Sequence, residues 1–194
     1  MTDLATPQAT ARVIDGREVP PAGHYAVDAS HSSVEFVARH LVVAKTRGRF
    51  TSYDADVEIG ERPEDSKLSV TIDAASISTG DDGRDGHLRS PDFLDLENHP
   101  SITFESTSVE PGKGGAWLVN GDFTVRGVTK PLTLDVEFNG VTTDPWGNNK
   151  AFFSASGELD RDEYGVSWNQ PLANGGVVVG KKVKIELEIE AAQS

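Results

Sequence analysis

The chain has 194 residues with 18 basic and 31 acidic side chains, a formal net charge of −13 and 37% hydrophobic content. That length suits one all-β domain with a core of moderate size, and the acidic field argues against nucleic acid as a partner. It also disfavours docking on anionic membranes unless a local basic patch overrides it, and the absence of cysteine removes disulfides, thiolate nucleophiles and cysteine-held metals.

Residues 1–22 are short of large apolar side chains and end in Pro20-Pro21-Ala22. They read as a flexible tail, followed by one domain over 23–194. The N-terminus has no basic segment leading into an apolar run, so no signal peptide is expected. No stretch is long enough to span a bilayer, so the expected location is cytoplasmic, without stable membrane insertion.

From His24 onward the pattern is that of strands. Tyr25 and Val27 open one that ends at the turn Asp28-Ala29-Ser30. Alternation over 34–40 predicts a half-buried strand, and 50–59 predicts another with Tyr53, Ala55, Val57 and Ile59 on one face. Residues 68–74 repeat the pattern. A long insertion over 77–104 follows, in which Asp82 or Asp85 suits the N-cap of a short helix carrying His87 and Leu88. Ser90-Pro91 suits the start of a second helix. Further strands are expected at 102–104, 117–125, 132–138, 151–155 and 177–189. Turn clusters lie at 111–115, 126–131, 145–149 and 174–176.

At least eight strands, several of them long and joined by short turns, favour an up-and-down antiparallel barrel over a sandwich. Its interior would be filled by side chains or would hold one slim ligand. Ala38, Ala55, Ala74 and Ala155 are small, whereas Phe36, Phe104, Phe123 and Phe153 are large. Such a mixture builds either an elongated apolar channel or an interdigitated solid core, and pattern alone leaves both open.

Chemical motifs are sparse. Gly175 to Lys182 approaches a phosphate loop, but Lys182 replaces the required hydroxyl and a strand follows instead of a helix. Asp81 to Asp92 only loosely imitates a calcium loop. The five histidines lack metal-binding spacing, so no metal or other cofactor is expected. Asp28, His31 and Ser32 are too close along one turn to form a catalytic triad. Arg84 with Asp85, and Arg161 with Asp162, are candidate fork-geometry pairs that pin their loops to the barrel.

Several short motifs coincide in order: Tyr25-x-Val27-Asp28-x-x-His31-Ser32, His40-Leu41, Gly48-x-Phe50, Arg84-Asp85-x-His87-Leu88-x-Ser90-x-Asp92-Phe93, Gly127-Val128-Thr129-Lys130-Pro131 and Arg161-x-x-Tyr164-Gly165. On these the chain resembles the YceI-like family from about residue 24 to 190. The resemblance implies an all-β fold with minor helix, an antiparallel, lipocalin-like eight-stranded β-barrel around a long apolar ligand. That ligand is an isoprenoid-type lipid, either a polyisoprenoid or an isoprenoid quinone-like chain, which the family binds, stores or carries without established catalytic residues. Many members are periplasmic, and here the chain departs from the family.

Strand alternation then assigns candidate channel positions: Phe36 and Ala38; Tyr53, Ala55 and Val57; Leu68, Val70 and Ile72; Phe104; Phe123; Leu134 and Val136; Phe153 and Ala155. Phe93 and Leu94 are expected to close one end, with Trp168 on the other rim. His31, His40, Arg84, Asp85, His87 and Arg161 are expected to organise the mouth and loops. Two alternatives stand beside lipid binding: an enzyme that uses a His/Asp/Arg group at the mouth, for which His31, His40 and His87 would converge, and a filled structural barrel. Exposed edges or the acidic tail could support a homodimer.

Overall fold

The alternating runs become antiparallel strands because each can bury one face and wet the other. In the computed structural model, which describes residues 9–173 and 175–194, they are β1 (Arg12–Ile14), β2 (Arg17–Val19), β3 (Gly23–Val27), β4 (Ser33–His40), β5 (Ala44–Phe50), β6 (Tyr53–Ile59), β7 (Lys67–Asp73) and β8 (Ile77–Ser78). One helix, α1 (Asp82–Arg89), precedes β9 (Ser101–Pro111), β10 (Trp117–Val125), β11 (Val128–Thr143), β12 (Asn149–Asp160) and β13 (Val179–Gln193).

Three pairs of these strands lie end to end. β3 and β4 follow one another along β13, with Val27 opposite Ala191 and Val34 opposite Leu187. β5 and β6 continue each other alongside them, and β8 continues β7. The chain therefore builds eight walls in up-and-down order, closed where β13 pairs with both β12 and the β3–β4 wall. This is the closed eight-stranded antiparallel barrel expected from the sequence.

Some boundaries differ. The wall expected to begin at Phe50 starts at Ala44 and breaks at Thr51-Ser52. The turn expected over 126–131 contains only Arg126 and Gly127, with φ of 51° and 72°. That pair of positive φ angles makes a tight hairpin whose twist matches the strands. Pro131 then lies in β11 opposite Asp122, in a stretch where β11 pairs with β10 and not yet with β12, so its missing N–H breaks no ladder. Asp81, and neither Asp82 nor Asp85, caps α1 by accepting from Arg84 N at 2.8 Å. No second helix forms at Ser90-Pro91. Asn174, in the expected turn 174–176, lies outside the described residues.

The expectation of a tail is corrected for residues 9–22. β1 and β2 form a hairpin across Asp15-Gly16, and Val19 is 2% exposed. Arg12 reaches the carbonyls of Pro20, Gly60 and Glu61, and Arg17 reaches those of Gly112 and Ala116. Arg17 also lies over the Trp117 ring at 5.3 Å. These contacts fasten the hairpin across the barrel end opposite α1. Residues 1–8 lie outside the described residues.

Two barrel walls approach closely at Gly121, beside a bulge in the β9–β10 pairing. A Cβ there would sit 2.4 Å from Phe104 Cζ and 2.6 Å from Glu105 O. Gly121→Val is therefore expected to destabilise the fold by about 1–3 kcal/mol, read as a lower urea midpoint. An unchanged midpoint would show that both the Phe104 ring and the β9 backbone at Glu105 move aside freely.

Candidate functional site

The inward faces of the eight walls do not meet. They enclose a cavity of about 360 Å³, within the range of small-ligand sites. Leu88, Phe93 and Leu94 line it at the α1 end, and Val19, Pro20 and Pro63 line it at the hairpin end. Between them the wall is aliphatic and aromatic. The inward-facing small residues Ala38, Ala55 and Ala155 leave space that the neighbouring phenylalanines do not fill.

Of the positions derived from strand alternation, Phe36, Ala38, Tyr53, Val57, Val70 and Ile72 all line the cavity. So do Phe104, Phe123, Leu134 and Phe153. Trp168 is a correction. It is not on the opposite rim but at the α1 end, with its ring 5.3 Å from Phe93 and 4.7 Å from His87. It does not border the cavity itself.

Tyr53 lines the cavity with its ring, while its hydroxyl lies behind the wall near Ser32 and Asp28. Its Oη is buried with no hydrogen-bond partner among the described residues. The Ser32 hydroxyl lies near it and partly offsets the effect of burial as a hydrogen-bonding group, but its geometry engages it with the backbone of Glu190. Burial raises the Tyr53 pKa, so the group is a neutral phenol that can donate a hydrogen bond.

The α1 end is held by polar contacts of unusual form. Arg84 and Asp85 do not pair with each other but converge on Thr79. Arg84 donates from Nε to Thr79 Oγ1 at 2.6 Å and from Nη2 to Thr79 O at 3.0 Å, while Asp85 accepts from Thr79 N at 2.9 Å. His87 bonds Asp92 through Nε2 at 2.9 Å. Arg161 is 5% exposed, and it too does not form the expected pair with its neighbour. Its guanidinium donates to the carbonyls of Val166, Trp168, Val179 and Gly180, while Asp162 pairs with Lys181 at 2.8 Å. Burial lowers the Arg161 pKa, yet a guanidinium stays charged at any ordinary pH.

His31, His40 and His87 are not brought together. His40 ends β4 opposite Val179, whereas His31 lies at the start of the same wall, beside Glu190. Val179 and Glu190 are eleven positions apart on β13, about 36 Å along a strand. Asp28, His31 and Glu190 form a cluster that could in principle hold a cation. Lys150 Nζ already lies 3.2 Å from Asp28 and 3.0 Å from Glu190.

This cluster carries a pH signature. The hydrogen bond to Asp28 raises the His31 pKa above 6.5. The bonds from Ser30, His31 and Lys150 hold the Asp28 carboxyl well below 3.8. The His31 contribution is thus complete below about pH 6.5 and lost as pH rises through its folded pKa. That of Asp28 is present above about pH 4 and lost on acidification. Thermal midpoints measured from about pH 6 to 8 are expected to decline in the wild type, and less in His31→Gln. An identical decline in both would assign it to other groups.

Sequence comparison places these features among known proteins. The model of the YceI-like domain matches residues 25–191. A UPF0312 protein of Staphylococcus aureus (strain bovine RF122 / ET3-1) is 41% identical over 170 residues, covering 86% of this chain and 96% of that protein. Among solved structures, Burkholderia cenocepacia BcnA superposes with a TM-score of 0.74 at 22% identity, over 84% of this chain and 98% of its own. A polyisoprenoid binding domain from Saccharophagus degradans superposes with a TM-score of 0.62 at 15% identity, over 88% and 98% of the two chains.

Proposed function

The chain belongs to the YceI-like family, and on that premise we propose that its barrel binds one isoprenoid-type lipid chain, a polyisoprenoid or an isoprenoid quinone, and stores or carries it. The observation that carries this reading is the apolar cavity, lined by side chains of all eight walls from Phe93 to Val19. Removing a methylene from water contributes about 0.8 kcal/mol, so a prenyl tail needs no charged anchor there. Selectivity rests on the cavity's length and shape. The Saccharophagus degradans neighbour, described as polyisoprenoid-binding, supports the choice of ligand class.

The enzymatic alternative needed a convergence of His31, His40 and His87 that the fold does not provide, so binding is the better reading. Among the described residues no helix is long and apolar enough to cross a membrane. We take the protein to work from the aqueous side, in the cytoplasm, as a carrier.

Titration of delipidated protein with geranylgeraniol tests the proposal, because Trp117 borders the cavity and reports occupancy by its fluorescence. A saturable change with one site per chain is expected. A flat response, with no prenol retained after gel filtration, rejects it.

A further inference from the structure

The turn joining β4 to β5 is unlike the others. It consists of Leu41, Val42 and Val43, exposed by 44%, 55% and 82%. Leu41 and Val42 have φ of 49° and 72°, a region that Asn and Gly enter readily and a β-branched residue does not. Leu41 N donates to Val178 O at 2.9 Å, which places exposed Val177 in the neighbouring strand of chain. Four large apolar side chains are thus exposed at one tip, two of them, Leu41 and Val42, on a strained backbone.

The charge around this tip is opposite to that of the molecule. No acidic residue occurs between Phe36 and Tyr53, whereas Arg39, Lys45, Arg47 and Arg49 all do. Arg39 stands directly opposite Lys45 in the ladder at the base of the turn. Like charges so placed repel one another unless an anion lies between them. Both are exposed, and neither has an ion-pair partner among the described residues, while Arg47 is engaged with Glu35 and Glu186.

The tip also stands beside the channel. Ala38, Val179 and Val183 line the cavity, and Ala38 is three residues from Leu41, about 10 Å along the strand. Residue 179 also accepts from Arg161, whose other bonds hold Trp168 at the α1 end. An apolar tip with two unpaired cations, Arg39 and Lys45, at its base has the chemistry of an interfacial membrane anchor, with valine and leucine side chains among the acyl chains and arginine and lysine at anionic head groups. Only charges within a Debye length of about 10 Å are felt at contact, so the local patch prevails there over the net charge of −13.

A second copy of the chain is a poorer fit. A two-fold interface places a patch against itself and would set Arg39 and Lys45 of both copies together.

We infer that the Leu41–Val43 tip, with Val177, Arg39 and Lys45, docks the barrel reversibly on an anionic lipid surface with the α1 end of the channel facing it. The inference rests on the lipid-carrier reading for its purpose, but its test does not depend on cargo. The wild type is expected to float with phosphatidylcholine vesicles containing phosphatidylglycerol, at about 0.1 M salt, and at least about tenfold less with phosphatidylcholine alone. The double variants V42D/V43D and R39E/K45E are each expected to lower flotation about tenfold. Neither is expected to alter uptake of geranylgeraniol from solution, and an aspartate suits the left-handed backbone at position 42 better than valine does.

Absence of flotation with either vesicle, or flotation unchanged in both variants, overturns the docking. So does a dimer in sedimentation equilibrium that V42D/V43D dissociates, which would assign the tip to a second copy. Uptake of prenol without flotation removes the docking and leaves the carrier reading. Flotation that the variants abolish, without prenol uptake by the wild type, does the reverse.

Discussion

Replacing Arg161 by alanine is expected to lower stability by about 3 kcal/mol and to loosen the segment from Val166 to Gly180. One guanidinium donates to the carbonyls of Val166, Trp168, Val179 and Gly180, and hydrogen bonds to a charged donor contribute about 1.5–3 kcal/mol each. The sum is not realised, because removing the side chain also removes the cost of burying its charge. What remains is a set of carbonyls without a donor and a loop without its fastening. Arg161→Lys is expected to fall between, since an ammonium keeps the charge but loses the planar fork. Urea denaturation reads the stability, and amide exchange over 166–180 reads the loop. Stability within about 0.5 kcal/mol of wild type, with unchanged exchange, would show that the carbonyls find other donors.

The second large effect concerns the cavity. Ala155 of β12 lies beside Val136 and Leu187 in the ladders, and all three line the cavity. Ala55 of β6 lies beside Val70 in the same way. Ala155→Phe and Ala55→Phe each place a ring in the path of a prenyl chain. Prenol uptake is expected to fall at least about tenfold in each, equivalent to about 1.4 kcal/mol. The stability change has a diagnostic sign. A ring that enters an empty channel replaces void by contact, so the urea midpoint stays or rises. A ring forced into a packed core costs about 1–3 kcal/mol. Lost uptake with retained stability supports an open channel, and lost stability with unchanged uptake contradicts it.

How far the sequence showed this architecture depends on how each side chain is used. β6 was legible because Tyr53, Ala55, Val57 and Ile59 alternate with acids, and its inward face is apolar. β5 was not, because its inward positions include Thr46 and Gly48. Gly48 is required there, since a Cβ would lie 2.3 Å from Phe36 Cζ, so close packing removed the apolar signal that marks a strand. The β1–β2 hairpin did carry a signal: Asp15-Gly16 between Val13-Ile14 and Val19 is a turn pair, and both residues have positive φ, 50° and 75°. The charges and prolines around it hid that short pattern.

Within the candidate site, alternation places side chains on the inner face because a barrel wall has only two faces. Trp168 belongs to no regular strand, and contacts distant in sequence, with His87, Phe93 and the Arg161 guanidinium, decide its position. Arg84 and Asp85 looked like a local pair, but the hydrogen-bonding groups of Thr79 compete for both. The exposure of the Leu41–Val43 tip is likewise a property of the closed barrel and not of the sequence pattern.

A barrel that carries lipid retains it through purification, so protein purified without detergent from its own host is extracted with organic solvent. Mass spectrometry of the extract is expected to find a prenyl-chain lipid at about one molecule per chain, as one site implies, and to find it depleted in Ala155→Phe. Extracts free of such lipid, from wild-type protein that also fails to take up added prenol, would contradict the account.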